Sequence, residues 1–156
     1  VHLIELEEEA ALDLNAGKIE DLEVFSTSAG QVGIAICLDA FRDDVVDILV
    51  DKGAEILIQP SANPGPWTLG QQRGWMESAY KKTVEEGKFI YGINPMMNGP
   101  LWDIAFFGQS SILTSQLDLG EEMGYLNLEP SPGFLRLADS MDQEEILIIT
   151  VPHPGQ

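Results

Sequence analysis

The stretch GQVGIAICLDAF, residues 30–41, decides how this chain is read. Residues 31–37 are nearly all apolar, the pattern of a strand buried on both faces rather than one with a wet side. The run ends at Cys37, the only cysteine in the chain, and Asp39 follows two places later. DDVVDILVDKG, residues 43–53, then has helical spacing, with Val45, Ile48 and Leu49 on one face. Asp43 and Asp44 suit the positive N-terminus of that helix, Lys52 its C-terminus and Gly53 its left-handed end. Strand, tight turn and helix make one βα unit, with Cys37 at the turn.

Working outward, the same alternation continues. AEILIQP (54–60) reads as a second buried strand and SANPGPW (61–67) as a loop, marked by Asn, Pro and Gly. Residues 70–86 read as a helix, with Met76, Tyr80 and Val84 at i, i+4 and i+8. KFIYGIN (88–94) is a third strand and MMNGPLW (96–102) a loop. FGQSSILT (107–114), GYLNLEP (124–130) and EEILIITVP (144–152) are further strand candidates. Upstream, VHLIEL (1–6) reads as a short strand and LNAGK (14–18) as a turn. Residues 22–28 read as a strand joined to 31–37 through the turn SAG. There is no internal repeat, low-complexity tract or linker. Strands alternating with helices predict a layered α/β fold.

Composition sets outer bounds. The 156 residues suit one domain, and 44% hydrophobic content is enough for a core. No apolar run approaches the roughly 20 residues that span a bilayer. Asp and Glu number 26 against 8 Lys and Arg, a net charge of -18. Such a field repels phosphate backbones and anionic lipid, so neither nucleic acid nor membrane is expected as a partner. A solvated acidic surface is the simplest reading of it. A single cysteine permits no internal disulfide, which fits a reducing compartment, and the expected location is cytoplasmic. His2 and His153 have no spacing partner that would suggest a Cys-His dyad or a metal site, and no phosphate loop or GxGxxG is present.

Two readings of Cys37 stand side by side. Cysteine is often buried as a small hydrophobe, and composition alone favours that. The strand-turn-helix context instead matches a nucleophile elbow, which projects a side chain at the carboxyl end of a strand. The following backbone N–H, that of Leu38, would then help to hold an oxyanion. Surrounding negative charge raises a thiol pKa, so a nucleophilic Cys37 needs a base or cation close by.

VHL with the acidic cluster behind it, GQVGIAICLDAF, KGAEILIQPSANP, EEGKFIYGIN and FFGQSSIL resemble, in this order, the carbon-nitrogen hydrolases of the nitrilase superfamily. The resemblance runs from Val1 to about Leu113, and more loosely to EEILIITV. It implies an α/β fold forming part of a four-layer αββα sandwich with mixed sheets. It implies hydrolysis of a small linear amide, or less readily a nitrile, through a cysteine thioester, with neither metal nor organic cofactor. Cys37 matches the nucleophile. Glu7 and Glu8 are the two candidates for the second glutamate that many members place near the site. Trp67 falls where the family lines its pocket. Asn63 and Asn94 fall at familiar loop positions, although loop capping explains them equally well.

The departures matter as much. The family lysine ends a K-x-H-L motif and would stand immediately before Val1, and the general-base glutamate lies further upstream still. Lys18 sits in a turn beyond the acidic cluster, and Asp43 stands where many members have proline. Residues 1–156 therefore resemble the C-terminal portion of one carbon-nitrogen hydrolase domain, expected to be inactive alone. The expected partners are the N-terminal half or further copies in a homo-oligomer. ICLDAF lacks the Trp-Glu pair that often follows the nucleophile of nitrilases, which favours amide over nitrile. The competing reading is a non-catalytic half-domain with an assembly role.

Overall fold

A computed structural model describes residues 2–3 and 15–154. The chain order fixes the sheet. Strands β1 (Val24–Thr27) and β2 (Gly30–Ile34) form an antiparallel hairpin in which Val24 pairs Gly33 and Thr27 pairs Gly30. Helix α1 (Asp43–Asp51) crosses to β3 (Ile56–Ile58), which lies parallel to β2 with Val32 opposite Ile56. Helix α2 (Leu69–Trp75) runs into a wider, π-wound helix, Met76–Glu85, and this second crossover leads to β5 (Tyr91–Asn94), parallel to β3. Strand β9 (Ser111–Thr114) pairs antiparallel with β5, β11 (Ser131–Leu137) with β9, and β10 (Glu121–Met123) with β11. The result is a seven-stranded mixed sheet in the order β1-β2-β3-β5-β9-β11-β10. Among the described residues, no helix is long and apolar enough to cross a membrane.

Period-two alternation assigns the faces. Leu57, Leu113 and Phe134 point to one side, where Val45, Val46 and Leu49 of α1 and Ala79 and Tyr80 of the π-wound helix complete the core. Helix α1 sits close to the sheet because residue 33 is glycine: a Cβ there would stand 3.1 Å from Ala54 Cβ and 3.3 Å from Leu49 Cδ1. Val32, Ile56, Tyr91 and Leu135 point to the other side. There Ile149 and Val151 of the C-terminal segment lie against them, and the Tyr91 hydroxyl donates to the Pro152 carbonyl at 2.8 Å.

Most sequence expectations map onto elements, with five differences among the described residues. The strand expected over 31–37 is regular only to Ile34. GYLNLEP is a turn between β10 and β11 rather than a strand. EEILIITVP forms no ladder and lies extended over the sheet. MMNGPLW is not a plain loop: Met96–Met97 (β6) pairs with Ser61–Ala62 (β4), and Gly99–Leu101 (β7) starts a hairpin with Ile104–Phe106 (β8). The helix expected over 70–86 exists but breaks at Ser78, whose φ of -103° and ψ of -120° are not helical. Of VHLIEL, only His2 and Leu3 lie within the described residues, and they are in neither helix nor strand.

Candidate active site

After Ile34 the chain still follows β3: Ala35 N–H donates to Ile58 O at 3.0 Å, and Cys37 N–H to Pro60 O at 2.9 Å. The backbone then turns sharply. Cys37 has φ of +47°, in the left-handed region that L-residues avoid. A 3-10 turn, Cys37–Phe41, follows at once and leads into α1. Cys37 thus stands at the carboxyl end of the parallel strands, where open α/β sheets place their sites. Leu38 N–H lies in the first turn of that short helix, next to Asp39 N–H, which donates to Ile36 O at 2.9 Å. The thiol is half-buried, and its only close polar neighbour among the described residues is the Ala62 carbonyl at 3.9 Å.

Two polar groups brace the turn. Gln59, fully buried after β3, donates from Nε2 to the Cys37 carbonyl at 3.0 Å and accepts from Ala79 N–H at 3.1 Å. Asp39, also buried, accepts from the His2 amide and contacts His2 Nδ1, both at 2.9 Å. Burial pushes the Asp39 carboxyl up, but the hydrogen bonds it accepts, those from His2 among them, outweigh this and hold it below the usual value. His2 is therefore a satisfied structural histidine that ties the first described residues to the turn after Cys37. The apolar lining of the sequence did not signal Asp39 or Gln59 as braces, although a lone glutamine in EILIQP is the kind of polar intrusion that marks one.

Trp67 is buried with Trp75, Met96 and Tyr125, in the apolar cluster against which Cys37 and Phe41 pack. Two further buried glutamines fix it. Gln109 Oε1 accepts from Trp67 Nε1 at 3.2 Å, and Gln72 Nε2 donates to the Trp67 carbonyl at 2.8 Å. Each glutamine also accepts from the 124–130 turn, Gln109 from Leu126 N–H and Gln72 from Asn127 N–H. Tyr125 meets Trp67 edge to face at 5.4 Å, and burial pushes its phenol up to about 12. Asn63 is a loop brace: its Nδ2 donates to the carbonyls of Phe107 at 3.2 Å and Gly65 at 3.4 Å. Asn94 ends β5 fully buried, with Oδ1 unpartnered. Glu7 and Glu8 lie outside the described residues.

None of the five lysines contacts Cys37 among the described residues. Lys52 Nζ donates to the carbonyls of Glu20 and Leu22, Lys81 pairs with Glu77, Lys82 with Asp43 and Glu86, and Lys88 with Asp47 and Glu86. Lys18 is exposed. Among the described residues no group of three His, Cys, Asp or Glu is placed to hold a metal.

A cysteine held on a left-handed turn at the carboxyl edge of a mixed α/β sheet is the centre of the candidate site. The chain belongs to the carbon-nitrogen hydrolase family, whose profile matches residues 2–119. No curated protein matches it. Among solved structures it is similar to the NitN amidase of Nesterenkonia sp. AN1, at 24% identity and a TM-score of 0.60, covering 89% of this chain and 50% of that one. A variant of that amidase in complex with butyramide matches at 23% identity and a TM-score of 0.59, covering 86% and 47%. Another, showing Michael addition of acrylamide at the active-site cysteine, matches at 23% and 0.60, covering 90% and 50%. The chain thus spans about half the length of these structures, which share its fold: the sheet and its helical face are an α/β part of a four-layer αββα sandwich.

Proposed function

We propose that Cys37 is the nucleophile of an enzyme that hydrolyses the C–N bond of a small linear amide. The observation that carries this reading is the conformation of Cys37, a non-glycine residue held at φ of +47° where β2 meets its helix. Strained backbone of this kind clusters at functional sites. The Cys37 thiolate would attack the amide carbonyl and form a C–S bond, the negative charge passing to oxygen. Leu38 N–H would receive part of that charge. The amine leaves with a proton, and a thioester remains. A carboxylate then activates water, which cleaves the C–S bond, releases the acid and regenerates the thiol. A general base and a cation are still required. Glu7 or Glu8 would contribute to the acidic side of the site. The family resemblance puts its lysine just before the His-Leu pair, and the contact of His2 with Asp39, two residues after Cys37, supports that reading.

The same reading leaves residues 1–156 inactive by themselves, since among the described residues no lysine contacts Cys37. It also places the family's second sheet over the far face of this one, beyond Ile34 and the 63% exposed Ile36. Ammonia release from short aliphatic amides tests it, measured on the 156-residue chain and on its longest native form, each with and without Cys37→Ala. The expected result is no turnover by the 156-residue chain, and turnover by the longer form that Cys37→Ala abolishes. Turnover that survives Cys37→Ala would overturn the assignment.

A further inference from the structure

We propose that Gln59 is a positioning residue that holds Cys37 in its left-handed conformation, by clamping the nucleophile turn to the break in the π-wound helix. This rests on the reading of Cys37 as nucleophile. Gln59 is fully buried, so its amide must find partners or carry a desolvation cost. It finds two from opposite sides. Nε2 donates to the Cys37 carbonyl at 3.0 Å, and Oε1 accepts from Ala79 N–H at 3.1 Å.

Both partners come from irregular backbone. Cys37 stands at φ of +47°. Ala79 follows Ser78, the residue that leaves helical geometry. That break turns Ala79 N–H toward the sheet, and the Ser78 hydroxyl donates to the Trp75 carbonyl at 2.8 Å. One side chain thus satisfies two backbone groups that regular structure would have paired. The Cys37 N–H is held separately, on Pro60 O at 2.9 Å. Its peptide is therefore fixed at both the N–H and the C=O, which is what keeps the residue from relaxing to right-handed or extended geometry. Gln59 bonds the Cys37 carbonyl, while the thiol's hydrogen bond goes to Ala62 O, so Gln59 acts through the backbone of Cys37.

The single cysteine permits a selective test. With 13C-labelled cysteine, the Cα and Cβ shifts of Cys37 report its backbone conformation without any need for turnover. Gln59→Met removes both hydrogen bonds at nearly constant volume. Gln59→Asn keeps the amide but is too short to span both partners, and it serves if the first variant fails to fold. In folded variants the Cys37 shifts are expected to leave the left-handed range. In the active form, kcat on a short amide should fall about tenfold with KM within about twofold, the factor by which a left-handed non-glycine residue is depopulated when unsupported. Unchanged Cys37 shifts in a cooperatively melting variant, or a loss carried by KM alone, would overturn the proposal. Turnover that persists in Cys37→Ala would instead refute the nucleophile assignment, while the shift measurement would still decide the clamp.

Discussion

The strain at Cys37 can be weighed by comparing two truncations that both remove the sulfur. In Cys37→Ala the residue keeps its Cβ and must still adopt φ of +47°. In Cys37→Gly that penalty vanishes. A left-handed conformation costs an L-residue about 1–2 kcal/mol. Against this, glycine loses more backbone entropy on folding, about 0.4–1 kcal/mol. It also forfeits the packing of one methyl, worth a few tenths of a kcal/mol at a half-buried position. Loss of the thiol is common to both variants and cancels. The expected net is that Cys37→Gly is the more stable by roughly 0.5 kcal/mol, although glycine is the worse residue at ordinary positions. For a chain of this size that is a rise of about 1–2 °C in Tm. Urea melts of the two variants, analysed with a common slope, resolve it. Cys37→Gly less stable than Cys37→Ala by about 0.5 kcal/mol or more would show that the turn is unstrained. Strain would then not mark this residue for chemistry.

Two other outcomes follow from the geometry. The carboxyl of Asp39 is held below its ordinary value, so the unfolded chain binds the proton more readily, and the stability this group contributes is lost as pH falls below about 4. Asp39→Asn should flatten the acid side of the stability curve, and an identical slope in urea melts across that window would remove Asp39 from the account. At Gly92 a Cβ would stand 2.5 Å from Thr83 Oγ1 and 3.3 Å from Thr83 Cβ, so Gly92→Ala should destabilise by about 1–3 kcal/mol by lifting the π-wound helix off β5. Adding Thr83→Ala should recover part of that loss, and strict additivity of the two changes would show that they do not meet.

The sequence by itself determined the βα unit around Cys37, because its cues are local. An apolar run, a cysteine, paired acids at a helix start and a glycine at its end all act within a few residues of one another. The same locality made KFIYGIN and AEILIQP legible as strands. It failed where a segment's state depends on partners distant in the chain. EEILIITVP alternates like a strand, but alternation cannot choose between pairing in a ladder and lying across a face. Here Ile149 and Val151 lie on the sheet while Ile146 and Ile148 stand 84% and 77% exposed. GYLNLEP reads as a strand, yet its backbone N–H groups go to the buried amides of Gln109 and Gln72, which hold it as a turn under Trp67. The role of Gln59 was invisible for the same reason. One of its partners, Ala79, lies 20 positions along the chain, and only tertiary structure brings a break in one helix and a strained turn before another within reach of a single buried amide. Burial without water makes each of those polar groups find a protein partner, and which partner it finds is decided by packing rather than by sequence spacing.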